Sequence, residues 1–170
     1  VASLARINYR YSVEITEDPR DCHLAPVYVP GTKTRLARTI LEFLPDGDCY
    51  VEPFGGGAAV LLARHPSPVE VYNDINGDLS NLFAALRDPV RSEALQRRAS
   101  ATLYSRSDFL CARRVLGDPA ADSDERAWAY FVVANQSFMG RGAVGTENWR
   151  AATPTQLRSW WSRVGWLGDA

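Results

Sequence analysis

The stretch "YVEPFGGGAAV", Tyr50 to Val60, decides the fold. An apolar run enters three consecutive glycines and continues into small and apolar residues, so the pattern predicts a strand, a tight turn and a helix. Glycines let the backbone bend sharply and approach a ligand, because no Cβ stands in the way. A second apolar run, "PVEVYND", ends at Asp74. The turn and this acid together predict a ligand site.

The surrounding chain predicts an α/β fold. Strand, helix, strand and helix alternate from residue 48 to 88, which predicts a parallel sheet with a right-handed crossover and a short buried strand in "DCYVEPF". Alternating polarity predicts a half-buried strand at 7–15, and helical spacing in "TKTRLARTILEFLP" predicts an amphipathic helix that ends at Pro45. Further helices are predicted at 89–116, 124–137 and about 155–164.

Composition limits the class of protein. The 170 residues are 46% hydrophobic and 23% charged, as expected of one globular domain. No apolar run approaches the ~20 residues of a membrane span, so we expect no membrane partner. The three cysteines have no metal-ligand spacing; we interpret them as buried or half-buried apolar residues of a cytoplasmic protein without a metal. A net charge of -1 gives no general reason to expect nucleic acid.

Asp74 narrows the choice of ligand. At the carboxyl end of the second strand it would face the same crevice as the glycine turn and accept hydrogen bonds from ribose hydroxyls, while the helix N-terminus offers N–H groups to an anion. The dinucleotide motif G-x-G-x-x-G fails because Val60 stands at its third glycine, which disfavours NAD, and no P-loop motif is present. The structural alternative is that the glycines form only a tight turn and Asp74 caps a helix.

Four segments, in order, resemble the Dam-type DNA adenine-N6 methyltransferases, which use S-adenosylmethionine (SAM). They are "VPGTKTRLARTILEFLP", "YVEPFGGGAAV" with its specific "EPF", "VYNDINGDLSNLFAALRD" and, more loosely, "AYFVVANQSFMGRG", and they span residues 28–142. The resemblance implies a Rossmann-like SAM-dependent methyltransferase fold with a helical DNA-recognition segment. It also implies double-stranded DNA as the partner and methylation of adenine N6 as the reaction.

The resemblance also assigns residues. Lys33 matches the family's lysine that lies against the SAM carboxylate, and Asp74 matches the family's acid that binds the SAM ribose. The residues matched to SAM binding are Lys33, Phe54, Gly55, Gly56, Gly57, Asp74 and Ile75, with Ile75 beside the adenine. Asn135 and Arg141 are the matched DNA contacts. Val29 departs from the family's usual aromatic residue, and Thr32 from its glycine or serine.

The family's catalytic "DPPY" motif is missing from this sequence. No two prolines are adjacent, and the three Asp-Pro pairs are followed by Arg20, Val90 and Ala120. We therefore expect no catalytic residue here and an incomplete fold, with the motif on a missing C-terminal half. The expected domains are an N-terminal extension with a strand (1–27), a SAM-binding core (28–122) and the start of the DNA-recognition region (123–170).

Two other functions remain open from the sequence. One is a non-catalytic SAM- or DNA-binding remnant of a phage or prophage methyltransferase; the other is a nucleotide-dependent oxidoreductase. From residue 126 to 163, five arginines and four tryptophans accompany a single acid, Glu147. Arginine among aromatic residues suits contacts to DNA phosphates. Trp160 and Trp161 are expected in the core.

Overall fold

The computed structural model describes residues 2–4, 25–27, 29–138, 140 and 149–169. The predicted strand at 7–15 and Arg141 lie outside these residues. The chain divides into two compact units, Val1–Ala25 with Gly31–Ile75 and Pro26–Pro30 with Asn76–Ala170. The elements are β1 (Ala2–Leu4), α1 (Ala37–Phe43), β2 (Cys49–Glu52), α2 (Ala59–Ala63), β3 (Val69–Tyr72), α3 (Gly77–Arg87), α4 (Pro89–Ser100), α5 (Arg106–Gly117), α6 (Ser123–Gln136) and α7 (Pro154–Asp169).

The first unit contains a small mixed sheet in the order β1-β3-β2. Strands β2 and β3 are parallel, with Glu52 opposite Tyr72, and β1 is antiparallel to β3. The parallel pair predicted from the alternation of strands and helices is confirmed. Helix α1 ends before Pro45, as predicted, because the next residue, Leu44, has left the helical conformation.

Strand β2 is more exposed than the sequence predicts. Cys49 and Val51 are exposed, and Val51 keeps 51% of its accessible surface. Among the described residues only β3 pairs with β2, so its other edge has no neighbouring strand. The prediction of a buried strand is therefore wrong. The exposure of Cys49 and Cys111 likewise corrects their interpretation as buried or half-buried residues.

The second unit consists of helices that begin at side-chain caps. Asn76, Asp88, Ser105 and Asp122 accept hydrogen bonds from the first N–H groups of α3, α4, α5 and α6. Ser105 explains why the helical stretch predicted at 89–116 divides in two, because its side chain starts a new helix. At α7, Thr153 and Gln156 bond each other's backbone N–H in a capping box.

The core of the second unit forms around α6. Every residue from Ala127 to Ala134 is buried. The Phe131 and Trp160 rings lie with their centroids 5.3 Å apart, and Trp160 is 1% exposed, which confirms it as a core residue. Trp161 is 49% exposed, so its expected place in the core is wrong. Within the described part of the chain, no helix has the length and apolar character needed to span a membrane.

Candidate functional site

The glycine turn lies where the two parallel strands end side by side. Asn73 N–H donates to the Glu52 carbonyl and Gly55 N–H donates to the Asn73 carbonyl, each over 2.9 Å. These bonds continue the strand pairing beyond Tyr72 and bring the segment after β3 against the turn. Gly56 N–H donates to the Asp74 carboxylate oxygen Oδ2 over 2.9 Å. The structure thus joins the acid and the turn that the sequence placed eighteen residues apart.

Each of the three glycines has its own steric reason. A Cβ on Gly55 would overlap the ring of Tyr72. Gly56 has a φ of +51°, in the left-handed region that favours glycine. A Cβ on Gly57 would stand 3.0 Å from Thr32 Oγ1. The Tyr72 hydroxyl also donates to the Gly56 carbonyl over 2.8 Å. Packing therefore excludes a side chain at Gly55, the left-handed backbone favours glycine at Gly56, and a side chain at Gly57 would press on Thr32.

Glu52 is a site residue that the sequence analysis missed. One carboxylate oxygen, Oε1, accepts hydrogen bonds from the Tyr50 hydroxyl and from Leu61 N–H, both over 2.9 Å. The other oxygen, Oε2, is buried and has no hydrogen-bond partner among the residues that the structure describes. Burial raises the pKa of Glu52, against the lowering effect of these two hydrogen bonds and of the Lys33 and Arg64 charges. The acid inside "YVEPF" was the available signal, because an acid at a strand end beside a glycine turn is an unusual choice.

Two carboxylates already occupy N–H groups at the turn and at the start of α2, which alters the expectation of an anion site. Glu52 already accepts from Leu61 N–H, and Asp74 already accepts from Gly56 N–H. Of the N–H groups at the start of α2, Leu61 N–H is therefore already bonded to a carboxylate of the chain itself. Helix α2 is also only five residues long. Hydrogen-bond donors and positively charged groups suit this surface better than anions do.

The other predicted SAM-binding residues lie in the same unit. Lys33 is exposed, and its charge acts on the Glu52 carboxyl, which places it within electrostatic reach of the turn. Phe54 is 86% exposed and Ile75 is fully exposed. Asp74 does not cap a helix, because Asn76 accepts from the first N–H groups of α3. The alternative in which Asp74 serves only as a helix cap is therefore wrong.

Of the two predicted DNA contacts, Asn135 lies in the second unit. The Asn135 side chain donates to the Pro26 carbonyl over 3.2 Å, and Arg141 lies outside the described residues. Arg126, counted in the basic segment, bonds both Asp78 carboxylate oxygens at 2.8 and 3.0 Å and is therefore a structural residue. Arg150 is exposed, with its guanidinium 5.5 Å from the centre of the Phe138 ring.

Comparison with known proteins identifies the family of the chain. The family model described as D12 class N6 adenine-specific DNA methyltransferase matches residues 30–147, more than half of the chain. A protein named DNA N-6-adenine-methyltransferase, from Escherichia phage P1, is 28% identical over 111 residues, which cover 65% of this chain. The same match covers 15% of the phage protein, so the chain spans only a small part of that relative's length. The chain belongs to the family of D12 class N6 adenine-specific DNA methyltransferases.

Proposed function

We propose that this chain carries the SAM-binding part of a Rossmann-like DNA adenine-N6 methyltransferase. The observation that carries the proposal is the Asp74 carboxylate held against the glycine turn at the carboxyl ends of two parallel strands. Ligands of open α/β sheets bind at such strand ends, and an acid there accepts from ribose hydroxyls. When bound, SAM supplies an activated methyl group.

The charges and apolar surface of residues near the turn support SAM as the ligand. Glu52 and Asp74 give the turn two carboxyl groups, which suit a ligand with hydroxyl donors and positive charge. Lys33 is the nearby cation that pairs with the ligand's carboxylate. The exposed Phe54 and Ile75 offer apolar surface to the adenine, and its burial contributes about 25 cal/mol per Å². Gly55, Gly56 and Gly57 keep side chains out of the approach.

The substrate proposed for the whole enzyme is the adenine amino group in double-stranded DNA. Asn135 and Arg141 are proposed DNA contacts, and residues 123–170 are proposed as the start of the DNA-recognition region after a core at 28–122 and an extension at 1–27. The sequence lacks a "DPPY" segment, so transfer requires a segment that supplies one. A cytoplasmic location follows from the proposed DNA substrate.

A SAM titration followed by amide chemical shifts tests the cofactor. We expect shifts at Gly55, Gly56 and Gly57, with an affinity weaker than micromolar because no catalytic motif contributes to the pocket. Asp74→Ala should weaken binding by about tenfold to a hundredfold, the range for lost charged hydrogen bonds. Asp46→Ala, an exposed acid of the same unit, should leave it unchanged.

Three outcomes would contradict the proposal. Absence of amide shifts at millimolar SAM would exclude SAM as the ligand. Equal SAM affinities of wild type and Asp74→Ala would show that Asp74 does not bind the ribose. Tighter binding of NAD than of SAM would favour the oxidoreductase. Asp74→Asn checks the ribose contact separately, because its amide oxygen still accepts from Gly56 N–H while its charge is lost.

The absence of adjacent prolines favours a second candidate, a SAM- or DNA-binding protein without transfer activity. Incubation with labelled SAM and adenine-containing duplex DNA, with and without a separate "DPPY" segment from a D12 class enzyme, separates the two. Label incorporated only with the added segment supports the methyltransferase. Binding without incorporation in either mixture supports the non-catalytic protein. Incorporation by the chain alone would show that an acceptor group lies among its own residues.

A further inference from the structure

The Glu52 carboxylate joins the two sides of the glycine turn. Glu52 ends strand β2, and Leu61, whose N–H it accepts, lies in the first turn of α2. The eight residues between them contain all three glycines. The Tyr50 hydroxyl donates to the same oxygen and so fixes the orientation of the carboxyl group. The hydrogen bond from Leu61 to Glu52 therefore bridges the turn, because the two residues lie on either side of it.

A turn rich in glycine needs contacts that hold its two ends in place. Glycine loses more conformational freedom on folding than any other residue, so the turn has many accessible shapes unless its ends are held. The observed shape places Gly56, in its left-handed conformation, with its N–H against Asp74. A contact that fixes the distance from β2 to α2 favours that shape.

We propose that Glu52 is a positioning residue that holds Gly56 N–H in place against Asp74. The inference rests on the proposed SAM site, since it explains how that site is preformed. Burying a carboxylate oxygen without a partner costs free energy, and Oε2 is in that position. The acceptor role of Oε1 offsets this cost. An apolar residue at 52 would avoid the cost and would leave Leu61 N–H and the Tyr50 hydroxyl without their acceptor.

Amide hydrogen exchange without ligand tests the positioning directly. In Glu52→Ala we expect exchange to rise by about tenfold or more at Leu61, the direct partner, and also at Gly56, which Glu52 does not touch. Exchange at Val71, in the middle of β3, reports opening of the whole unit and should rise much less. Glu52→Gln keeps an oxygen acceptor and should restore protection at both amides.

Ser67→Ala is the matched control. Ser67 is a buried residue of the same unit whose hydroxyl donates to the Gly47 carbonyl and accepts from Arg64, and it bonds neither Glu52 nor the residues of the turn. Loss of the Ser67 hydroxyl should lower the melting temperature. It should not raise amide exchange at Gly56 or Leu61 more than at Val71. A merely structural role for Glu52 would give the same result in Glu52→Ala as in Ser67→Ala. Tyr50→Phe removes one donor and should give intermediate exchange if Glu52→Ala does not fold.

The outcomes separate this inference from the proposed function. Faster exchange at Leu61 with unchanged exchange at Gly56 would overturn the inference, as would equal rises at Gly56 and Val71. In the SAM titration, Glu52→Ala should bind about tenfold more weakly than wild type and Ser67→Ala within about twofold. If the exchange results hold and wild type does not bind SAM, the proposed function fails and the positioning of the turn stands.

Discussion

Replacing Gly55 by alanine tests whether the glycine turn is required by packing. The added Cβ would overlap the Tyr72 ring, and Tyr72 is only 4% exposed. The ring cannot move freely, because its hydroxyl is bonded to the Gly56 carbonyl over 2.8 Å. Relief of the overlap therefore requires a shift of the turn or the loss of that hydrogen bond.

The magnitude follows from these contacts. Overpacking costs about 1–3 kcal/mol, and loss of the Tyr72 hydroxyl bond adds about 1 kcal/mol. The lower entropy of the unfolded alanine chain offsets about 0.4–1 kcal/mol. We expect Gly55→Ala to lower the free energy of unfolding by about 1–3.6 kcal/mol in urea titrations, on the sum of these terms.

Gly77→Ala is the control for this substitution. Gly77 is the first residue of α3, and a Cβ there meets no atom within 4 Å. Alanine at this position should stabilise the protein by about 0.4–1 kcal/mol. In the double variant Gly55→Ala with Tyr72→Ala, the cost of the first change should largely disappear, because the overlapping ring is gone. If Gly55→Ala is as stable as wild type, or if the double variant shows no coupling, the steric explanation of the turn is refuted.

Three further predictions concern charged residues. Arg126→Ala should lose about 2–3 kcal/mol of stability in urea titrations, because it leaves the half-buried Asp78 without its bidentate partner; recovery in Arg126→Lys would contradict the bidentate account. The logarithm of the non-specific DNA affinity should fall with the logarithm of salt concentration at a slope of about -3 to -4. Arg150→Ala should make this slope shallower by about 0.9, and Arg126→Ala should leave the slope unchanged. An affinity that does not depend on salt would show that these arginines do not contact DNA phosphates. Because the pKa of Glu52 is raised on folding, its contribution to stability is full at acid pH and is lost as pH rises through the folded pKa. The melting temperature of wild type should therefore fall relative to that of Glu52→Gln as pH rises from about 4 to about 8, and parallel curves for the two proteins would contradict this.

The local pattern of the sequence was enough to predict the parallel strand pair and the turn. Apolar runs, glycines and prolines determine where β2, α2 and β3 begin and end, and these signals act over a few residues. The spacing of Asp74 after the turn correctly placed it at the same strand end. Side-chain caps also mark helix starts in sequence, although the break before Ser105 was missed because its neighbours are compatible with one long helix.

The long-range contacts were beyond the sequence pattern. That Glu52 accepts from Leu61, nine residues later, depends on the angle at which α2 leaves the turn. That Arg126 binds Asp78 depends on how α3 and α6 pack, and the basic segment alone gave no sign of it. The exposure of Val51 depends on which strands flank β2, which periodicity within one strand does not report.

In the proposed SAM site, the carboxylates bear more on the choice of ligand than the glycines do. Each glycine is explained by packing or backbone conformation, so three glycines alone do not distinguish a nucleotide from any other ligand. Glu52 and Asp74 do distinguish ligands, because both are bonded to the backbone of the turn or of α2. A pyrophosphate placed about 5 Å from one ionised carboxylate would meet a repulsion of about 3 kcal/mol per charge pair at an effective dielectric constant of 20. A ligand with hydroxyl donors and a positive charge would be attracted by the same groups. The acids at the turn would therefore disfavour the pyrophosphate of a dinucleotide, independently of Val60.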